Sequence, residues 1–484
     1  MLSRAKCCVL IVGLWLLRPL TLDAQSDFAK IDSAVQAQLS AARIPGAALV
    51  IVEGRRVVHQ RGFGVRDPSG APVTAETPFY LGSTTKSFTA LAVLQLEQQG
   101  KIELDAPVQR YLPWFTLADS AVSRAITVRD LLLHRGRIPD RAGERFLADP
   151  DTSPAAAERH VRWLARVRPA PAGFHYSNLG YTTLGLVVEA ASGQPYAIYL
   201  QDHVFAPLGF EHTYTERAAA RRDGLATGYA LPLGLPIATE QPADRGDLAA
   251  GYLMSCAADV GRYLVAQVNQ GRVPGAPGLS PDVIAAAHTS HGAIVPDRDI
   301  AFGWSIATLH GVRILDISGS VPRYLSRFVA SPDSGWAVAL LANGNGAIAE
   351  AHVMEAALNA ARMTMGRAPV PVVIPVWLLA ALGLIFALPL IQLGFAVRAL
   401  VRLRRGAHPP RWQELVLAGV GVGWGVVVLG GFPVLFGSYW PTMIAYQPDI
   451  AMALLASAAI GLIWGVTRAV FARFPSHCTC FVKC

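Results

Sequence analysis

Lysine is nearly missing from this chain. Of 42 basic residues among 484, only Lys6, Lys30, Lys86, Lys101 and Lys483 are lysines. Arginine keeps its proton under ordinary conditions, so the chain holds few amines able to act as a base. Cysteine is scarce in another way. Between residues 25 and 368 only Cys256 occurs, which excludes an internal disulfide there and leaves cohesion to the core. Cys7 and Cys8 lie near the start, while His477, Cys478, Cys480 and Cys484 crowd a tail whose spacing matches no usual zinc pattern and reads as disordered. Charged residues are also few, at 16%, against 52% hydrophobic. That balance suggests that part of the chain lies in a membrane. There is no internal repeat.

The apolar runs lie at the two ends. Arg4 and Lys6 precede the run Cys7 to Leu17, and Leu22-Asp23-Ala24 before Gln25 resembles a small-residue cleavage site, so residues 1–24 read as a secretory signal. Three further stretches, at about 370–397, 415–436 and 450–466, are long enough to span a bilayer, the last near the lower limit. Arg398, Arg402, Arg404, Arg405 and Arg411 separate the first two, and Arg468, Arg473 and Lys483 follow the third. The loop 437–449 has neither lysine nor arginine and carries Tyr439, Trp440 and Tyr446. Basic loops face the cytoplasm, which places residues 25–368 outside, the side the signal also requires. The expected organisation is thus a leader, an exported domain over 25–368, and a three-helix transmembrane region with a cytoplasmic tail over 369–484.

The formal charge of +8 sits largely in the leader and the cytoplasmic segments, so residues 25–397 are near neutral and offer no footprint for nucleic acid. Membrane lipid is an expected partner through the three helices. No span carries an interior charge that would mark an ion path, so anchoring is expected rather than transport. Gly419, Gly421, Gly423 and Gly425 overlap as G-x-x-x-G pairs, a pattern for close packing against a neighbouring span.

Within the exported domain, Ile31, Val35 and Leu39 recur every four residues as one face of a helix that Pro45-Gly46 ends. Ala47 to Val52 and Val57 to Phe63, separated by Glu53-Gly54-Arg55, read as a hairpin. Helix-rich sequence continues to about Val268. From Phe302 to Leu341 four short β-like runs follow, then a helix over Glu350 to Met363, with Pro369, Pro371 and Pro375 at the membrane junction. Strands at both ends with helices between imply α+β, an antiparallel sheet assembled from both ends of the chain.

Three clusters carry chemistry. Leu81-Gly82-Ser83-Thr84-Thr85-Lys86 enters an almost wholly apolar helix that closes at Gly100, a residue suited to a left-handed C-cap. Ser83 and Lys86 are neighbours on one helix face. A serine hydroxyl needs a base to become a nucleophile, and a desolvated lysine supplies one. The bland reading is a capping serine beside a solvated lysine. Tyr176-Ser177-Asn178 follows Pro171 and Gly173 on a loop entering the next helix, where Tyr176 could relay the Ser83 proton and Asn178 orient the amine and a substrate amide. Ile317-Ser318-Gly319-Ser320, after the strand Val312 to Asp316, offers small residues where a strand passes close to a ligand; the Ser320 and Ser83 amides would form an oxyanion hole.

In this order the clusters resemble the serine β-lactamase and penicillin-binding protein family, above all its branch with class C β-lactamases, DD-peptidases, D-aminopeptidases and related esterases. S-x-x-K is Ser83 to Lys86, Y-x-N is Tyr176 to Asn178, and the third box is Ile317 to Gly319. P-G-A-A at Pro45, L-D-A-P-V at Leu104, I-T-V-R-D-L-L-L-H at Ile126, F-A-P-L-G-F at Phe205 and A-A-G-Y-L-M-S at Ala249 are similar to that family as well. The resemblance implies Ser83 as nucleophile, Lys86 and Tyr176 as the proton-transfer pair, and Asn178, Ser318, Gly319 and Ser320 as substrate-binding residues, with no cofactor or metal and a small-molecule or peptide substrate. Two departures stand out. The third box begins with Ile317 where the family has Lys or His to hold a carboxylate, and His134-Arg135-Gly136-Arg137 replaces the family's H-T-S-G. Arg323, at a position usually glycine, is a candidate replacement charge. The expected function is an acyl-serine hydrolase on amides or esters; its rival, motivated by Ile317, is a silent module that binds cell-wall peptide or a partner protein.

Overall fold

The computed structural model describes residues 21–147, 149, 151, 153, 155–241, 246–405, 409–436 and 439–473. The leader up to residue 20 and the Cys-rich tail lie outside the described residues. A first helix, α1 (Thr21–Ala41), carries Ile31, Val35 and Leu39 on its buried face. The expected hairpin follows as β1 (Gly46–Glu53) and β2 (Arg56–Gly64). Its two turn residues, Gly54 and Arg55, have φ of +55° and +64°, the left-handed pair whose twist matches that of the flanking strands. The apolar helix α2 (Thr85–Gln98) ends at Gly100, whose φ of +70° bears out the C-cap reading, and α3 (Asn178–Ser192) starts directly at the Y-x-N loop.

Six later strands complete an eight-stranded antiparallel sheet: β3 (Ala293–Val295), β4 (Arg298–Ala301), β5 (Trp304–Leu309), β6 (Val312–Val321), β7 (Tyr324–Ser331) and β8 (Trp336–Ala342). The spatial order is β2-β1-β8-β7-β6-β5-β4-β3, so β1 lies between its hairpin partner and β8, with Leu49 opposite Leu340. Both ends of the chain therefore build one sheet, as the pattern implied. Two corrections apply. The third box does not follow its strand but lies inside it, because β6 continues to Val321, and the short strands β3 and β4 had no alternating signal long enough to read.

Alternate residues of β1 serve two cores. Ala48, Val50 and Val52 pack with the apolar side chains of α2 and α3, while Ala47, Leu49 and Ile51 pack with α1 and with Val353 and Ala356 of α4 (Ala347–Thr364). A sheet covered on both faces explains why its central strands are apolar almost without interruption.

Beyond the proline-rich junction come α5 (Val376–Arg404), α6 (Arg411–Val426), a short helix α7 (Trp440–Tyr446) and α8 (Pro448–Arg473). Three segments, Val376–Arg404, Arg411–Val434 and Pro448–Ala472, are long and apolar enough to cross a membrane, and the third is longer than its apolar run suggested. Only one register of the glycine pattern is used. A Cβ at Gly421 would lie 2.6 Å from the Gly461 carbonyl oxygen and one at Gly425 2.3 Å from Leu462 Cγ, whereas Gly419 and Gly423 meet nothing within 4 Å. Residues two apart point to different sides of a helix, so the second pair faces away from α8. Gly421→Leu and Gly425→Leu should each lower the midpoint of thermal unfolding of the detergent-solubilised chain by roughly several degrees. Gly419→Leu and Gly423→Leu should leave it within about a degree, as followed by loss of helical circular dichroism.

Candidate active site

Ser83 lies in a single 3-10 turn, Gly82–Thr84, that feeds α2, rather than in the α-helix itself. Its hydroxyl makes no cap bond to the helix. It faces two proton carriers instead. The Lys86 Nζ stands 3.1 Å from Ser83 Oγ, and the Tyr176 hydroxyl, from a loop 93 residues on, stands 2.7 Å from the same oxygen. The capping reading of this segment therefore fails.

Lys86 is buried, only 2% exposed. Its ammonium has three donors, and the structure supplies three acceptors: Ser83 Oγ at 3.1 Å, Asn178 Oδ1 at 2.7 Å and the Ala250 carbonyl at 2.6 Å. None is a carboxylate. The amine also lies 4.9 Å from the centre of the Tyr176 ring and 5.6 Å from that of Tyr181, so aromatic faces stand where a counter-ion would. Asn178 opens α3, whose N-cap is the Ser177 hydroxyl accepting from the Gly180 amide at 3.1 Å, so the capping serine belongs to this second cluster.

The Y-x-N loop is held by His134, the one residue of the stretch that matches H-T-S-G. Its carbonyl accepts from the His175 amide at 2.7 Å and its Nδ1 from the Ser177 amide at 3.0 Å, so Nδ1 carries no proton. Burial, reinforced by the nearby Lys86 charge, holds the His134 pKa well below the usual imidazole value. The retained histidine thus buttresses Tyr176.

Strand β6 comes against the Ser83 turn at Gly319. A Cβ there would fall 2.0 Å from the Leu81 carbonyl oxygen and 3.0 Å from the Ser83 amide nitrogen. One at Gly82, whose φ is +60°, would fall 2.6 Å from the Ser320 amide nitrogen. Only glycine at both positions lets the two amides border one gap. Ser326 of β7 and Thr84 both bond the Leu81 carbonyl, at 2.5 and 2.8 Å, and fix the turn. Ser318 and Ser320 line the cleft, as does Ile317. Ser83, Lys86, Tyr176, Asn178, Ser318, Gly319 and Ser320 thus come together at one place.

Arg323 does not replace the missing charge. It sits in the left-handed region, φ +93°, and its guanidinium turns to Thr239 Oγ1 at 2.9 Å and to the carbonyl of Ala445 in α7. Burial pushes its pKa down from the ordinary guanidinium value. Arg298 of β4 does line the cleft, but its charge is shared with Asp316, 3.2 Å away, and Arg327 holds the other side of that carboxylate. Sequence reasoning quoted the strings that hold Ala250 and His134 without giving either a role, and missed Arg298 and Phe432, Met443 and Tyr446 of the C-terminal helical region, all part of the site or its lining. The A-A-G-Y-L-M-S string pointed to the first; nothing local pointed to the last three. The cleft measures about 770 Å³, an ordinary size for a small-molecule site. Among the described residues, no group of three His, Cys, Asp or Glu could hold a metal ion.

Comparison with known proteins points to one family. The sequence pattern of the family described as Beta-lactamase matches residues 31–362. The chain is 25% identical over 331 residues to Protein flp of Staphylococcus aureus, covering 67% of this chain and 64% of that protein. It is 29% identical over 340 residues to Unguisins hydrolase ungD' of Aspergillus campestris, covering 66% and 61% respectively. The alignments thus span less than two thirds of either relative. Among solved structures, an octameric penicillin-binding protein homologue from Pyrococcus abyssi superposes with a TM-score of 0.61 at 27% identity, over 71% of this chain and 78% of that one. A class C β-lactamase from Rhodobacter sphaeroides, at 22% identity, shares the fold with a TM-score of 0.57 over 68% and 98%.

A histidine held neutral in the fold takes up a proton more readily once unfolded, so His134 stabilises the native state above the ordinary imidazole pKa and loses that contribution as pH falls below it. His134→Asn, which keeps an acceptor for the Ser177 amide, should flatten the fall in thermal stability between about pH 7 and 5. His134→Phe should flatten it too, but lower stability at every pH by about 1–3 kcal/mol for the orphaned amide.

Proposed function

The chain is a member of the β-lactamase family, and from that premise we propose that it is a membrane-anchored serine hydrolase whose catalytic domain lies outside the cytoplasm and which works through an acyl-enzyme on esters or amides. The observation that carries this reading is the convergence of Lys86 Nζ and the Tyr176 hydroxyl on Ser83 Oγ. Ser83 Oγ attacks the substrate carbonyl carbon while its proton passes to the Lys86–Tyr176 pair, which acts with one of its two groups deprotonated. The carbonyl oxygen takes the negative charge between the Ser83 and Ser320 amides. Collapse of the tetrahedral adduct breaks the bond to the leaving alkoxide or amine, which receives the proton, and water then releases the acid from Ser83. Asn178 keeps the amine aimed at Ser83 throughout.

The placement outside the cytoplasm is supported by contact. Helix α7 belongs to the loop without lysine or arginine, and its Thr442 hydroxyl bonds the Glu144 carbonyl of the hydrolase domain at 2.5 Å. A loop and a domain that touch share one side of the bilayer, and a basic-free loop belongs on the outer side. The charge pattern in turn limits the substrate. Ile317 offers no cation, Arg298 shares the single Asp316 carboxylate with Arg327, and the acidic Asp140 and Glu144 line the same cleft. Neutral esters and amides suit these walls better than substrates recognised through a carboxylate.

A fluorophosphonate probe should label the chain, and labelling should vanish in Ser83→Ala. Lys86→Met and Tyr176→Phe should each lower kcat for a p-nitrophenyl ester about 10²–10⁴-fold, the usual share of proton transfer. Nitrocefin, which carries a carboxylate, should turn over more slowly than the neutral ester. Absence of labelling by both fluorophosphonate and penicillin would favour the silent binding module instead.

A further inference from the structure

Building on the hydrolase reading, we infer that the substrate is a bilayer-resident amphiphile, an ester or amide with a long aliphatic acyl chain, and that the membrane part supplies the wall along which that chain lies. The cleft that contains Ser83 and Lys86 is also lined by Phe432, Thr442, Met443, Tyr446 and Gln447. Phe432 lies within Arg411–Val434, one of the segments able to cross a membrane, so the catalytic cleft reaches the end of a span. Phe432 and Met443 also pack against Val428, Leu454 and Ala458 at the centre of the helix bundle.

This wall is anchored to the hydrolase domain at several points. Tyr446 donates to the Ser320 carbonyl at 3.4 Å, on the strand that borders the oxyanion gap. Gln447 Oε1 accepts from the Ala347 amide at 3.1 Å, Asp449 Oδ2 accepts from the Leu233 amide at 2.8 Å, and Arg323 holds the Ala445 carbonyl. The arginine that stands where the family usually has glycine thereby fastens the membrane loop over the cleft. A carbonyl seated between the Ser83 and Ser320 amides sits in the cleft that Tyr446 and Met443 also line. The acyl group stays in the cleft through both chemical steps, whereas the leaving group departs after the first, so an apolar wall acts longest on the acyl side. Because Phe432 belongs to a segment able to cross a membrane, such a wall suits an aliphatic chain that stays out of water.

The test uses the full chain in nanodiscs and compares kcat/KM for p-nitrophenyl decanoate and p-nitrophenyl acetate. Each methylene buried in the transition state is worth about fourfold, so the decanoate-to-acetate ratio should exceed roughly a hundred. Met443→Ser and the double variant Phe432→Asn/Met443→Ser should cut that ratio at least tenfold, with active molecules counted by fluorophosphonate labelling of Ser83 so that misfolded protein does not enter. A parental ratio near one, or a ratio equal in parent and variants because the bilayer merely concentrates the longer ester, would overturn the inference. Failure of the probe to label Ser83 in the parent would overturn the hydrolase reading itself, a separate outcome.

Discussion

A lysine side chain buried with only uncharged partners is the constraint around which the rest of this domain is arranged. The Lys86 amine spends its three donor positions on Ser83, Asn178 and the Ala250 carbonyl, and no carboxylate joins them. Such a group is tolerated only where every proton has an acceptor, because an unpaired one would cost several kcal/mol in that setting. Three elements must therefore stay in register: the turn before α2, the start of α3, and the segment at Ala250. Thr89, one turn beyond Lys86, bonds the Ala249 carbonyl at 2.7 Å and reinforces the last of these. The apolar surround of α2 holds the helix in place, and the polar contacts at its mouth use that rigidity to aim the amine.

The second constraint is the close approach of β6 to the Ser83 turn. Strand and turn come close enough that Gly319 and Gly82 leave no room for a Cβ, and the hydroxyls of Ser326 and Thr84 fix the Leu81 carbonyl between them. The same strand meets the membrane part. Tyr446 reaches the Ser320 carbonyl, and Arg323, just past the end of β6, holds the Ala445 carbonyl. A single strand thus touches both the Ser83 turn and a short helix that lies between two of the long apolar segments.

Much of this was legible from the order of residues. The hairpin, the apolar helix after Ser83, the later strands and the three apolar spans follow from local periodicity, and a lysine in a chain that otherwise uses arginine marked the reactive amine. The S-x-x-K and Y-x-N strings each lie on short elements whose geometry is set within a few residues, but that they meet across 93 residues was implied only by the family resemblance. The role of Arg323 could not be anticipated. Its direction depends on Thr239 and Ala445, 84 and 122 residues away. Nor could the active half of the glycine pattern be chosen, since Gly421 and Gly419 differ only in which one faces Gly461.

What the amino-acid order determined by itself was the chemistry available: a hydroxyl and an amine one helical turn apart, a phenol entering a helix, and apolar runs of membrane length, all consequences of spacing along the backbone. Tertiary structure alone decided which groups stand around that hydroxyl. It turned Arg323 out of the cleft, set Arg298 against Asp316, and brought Phe432, Met443 and Tyr446 into the lining of the cleft that holds Ser83. The reason is physical: a hydrogen bond or an apolar contact acts over a few ångströms, and only the folded path of the chain brings residues hundreds of positions apart within that range.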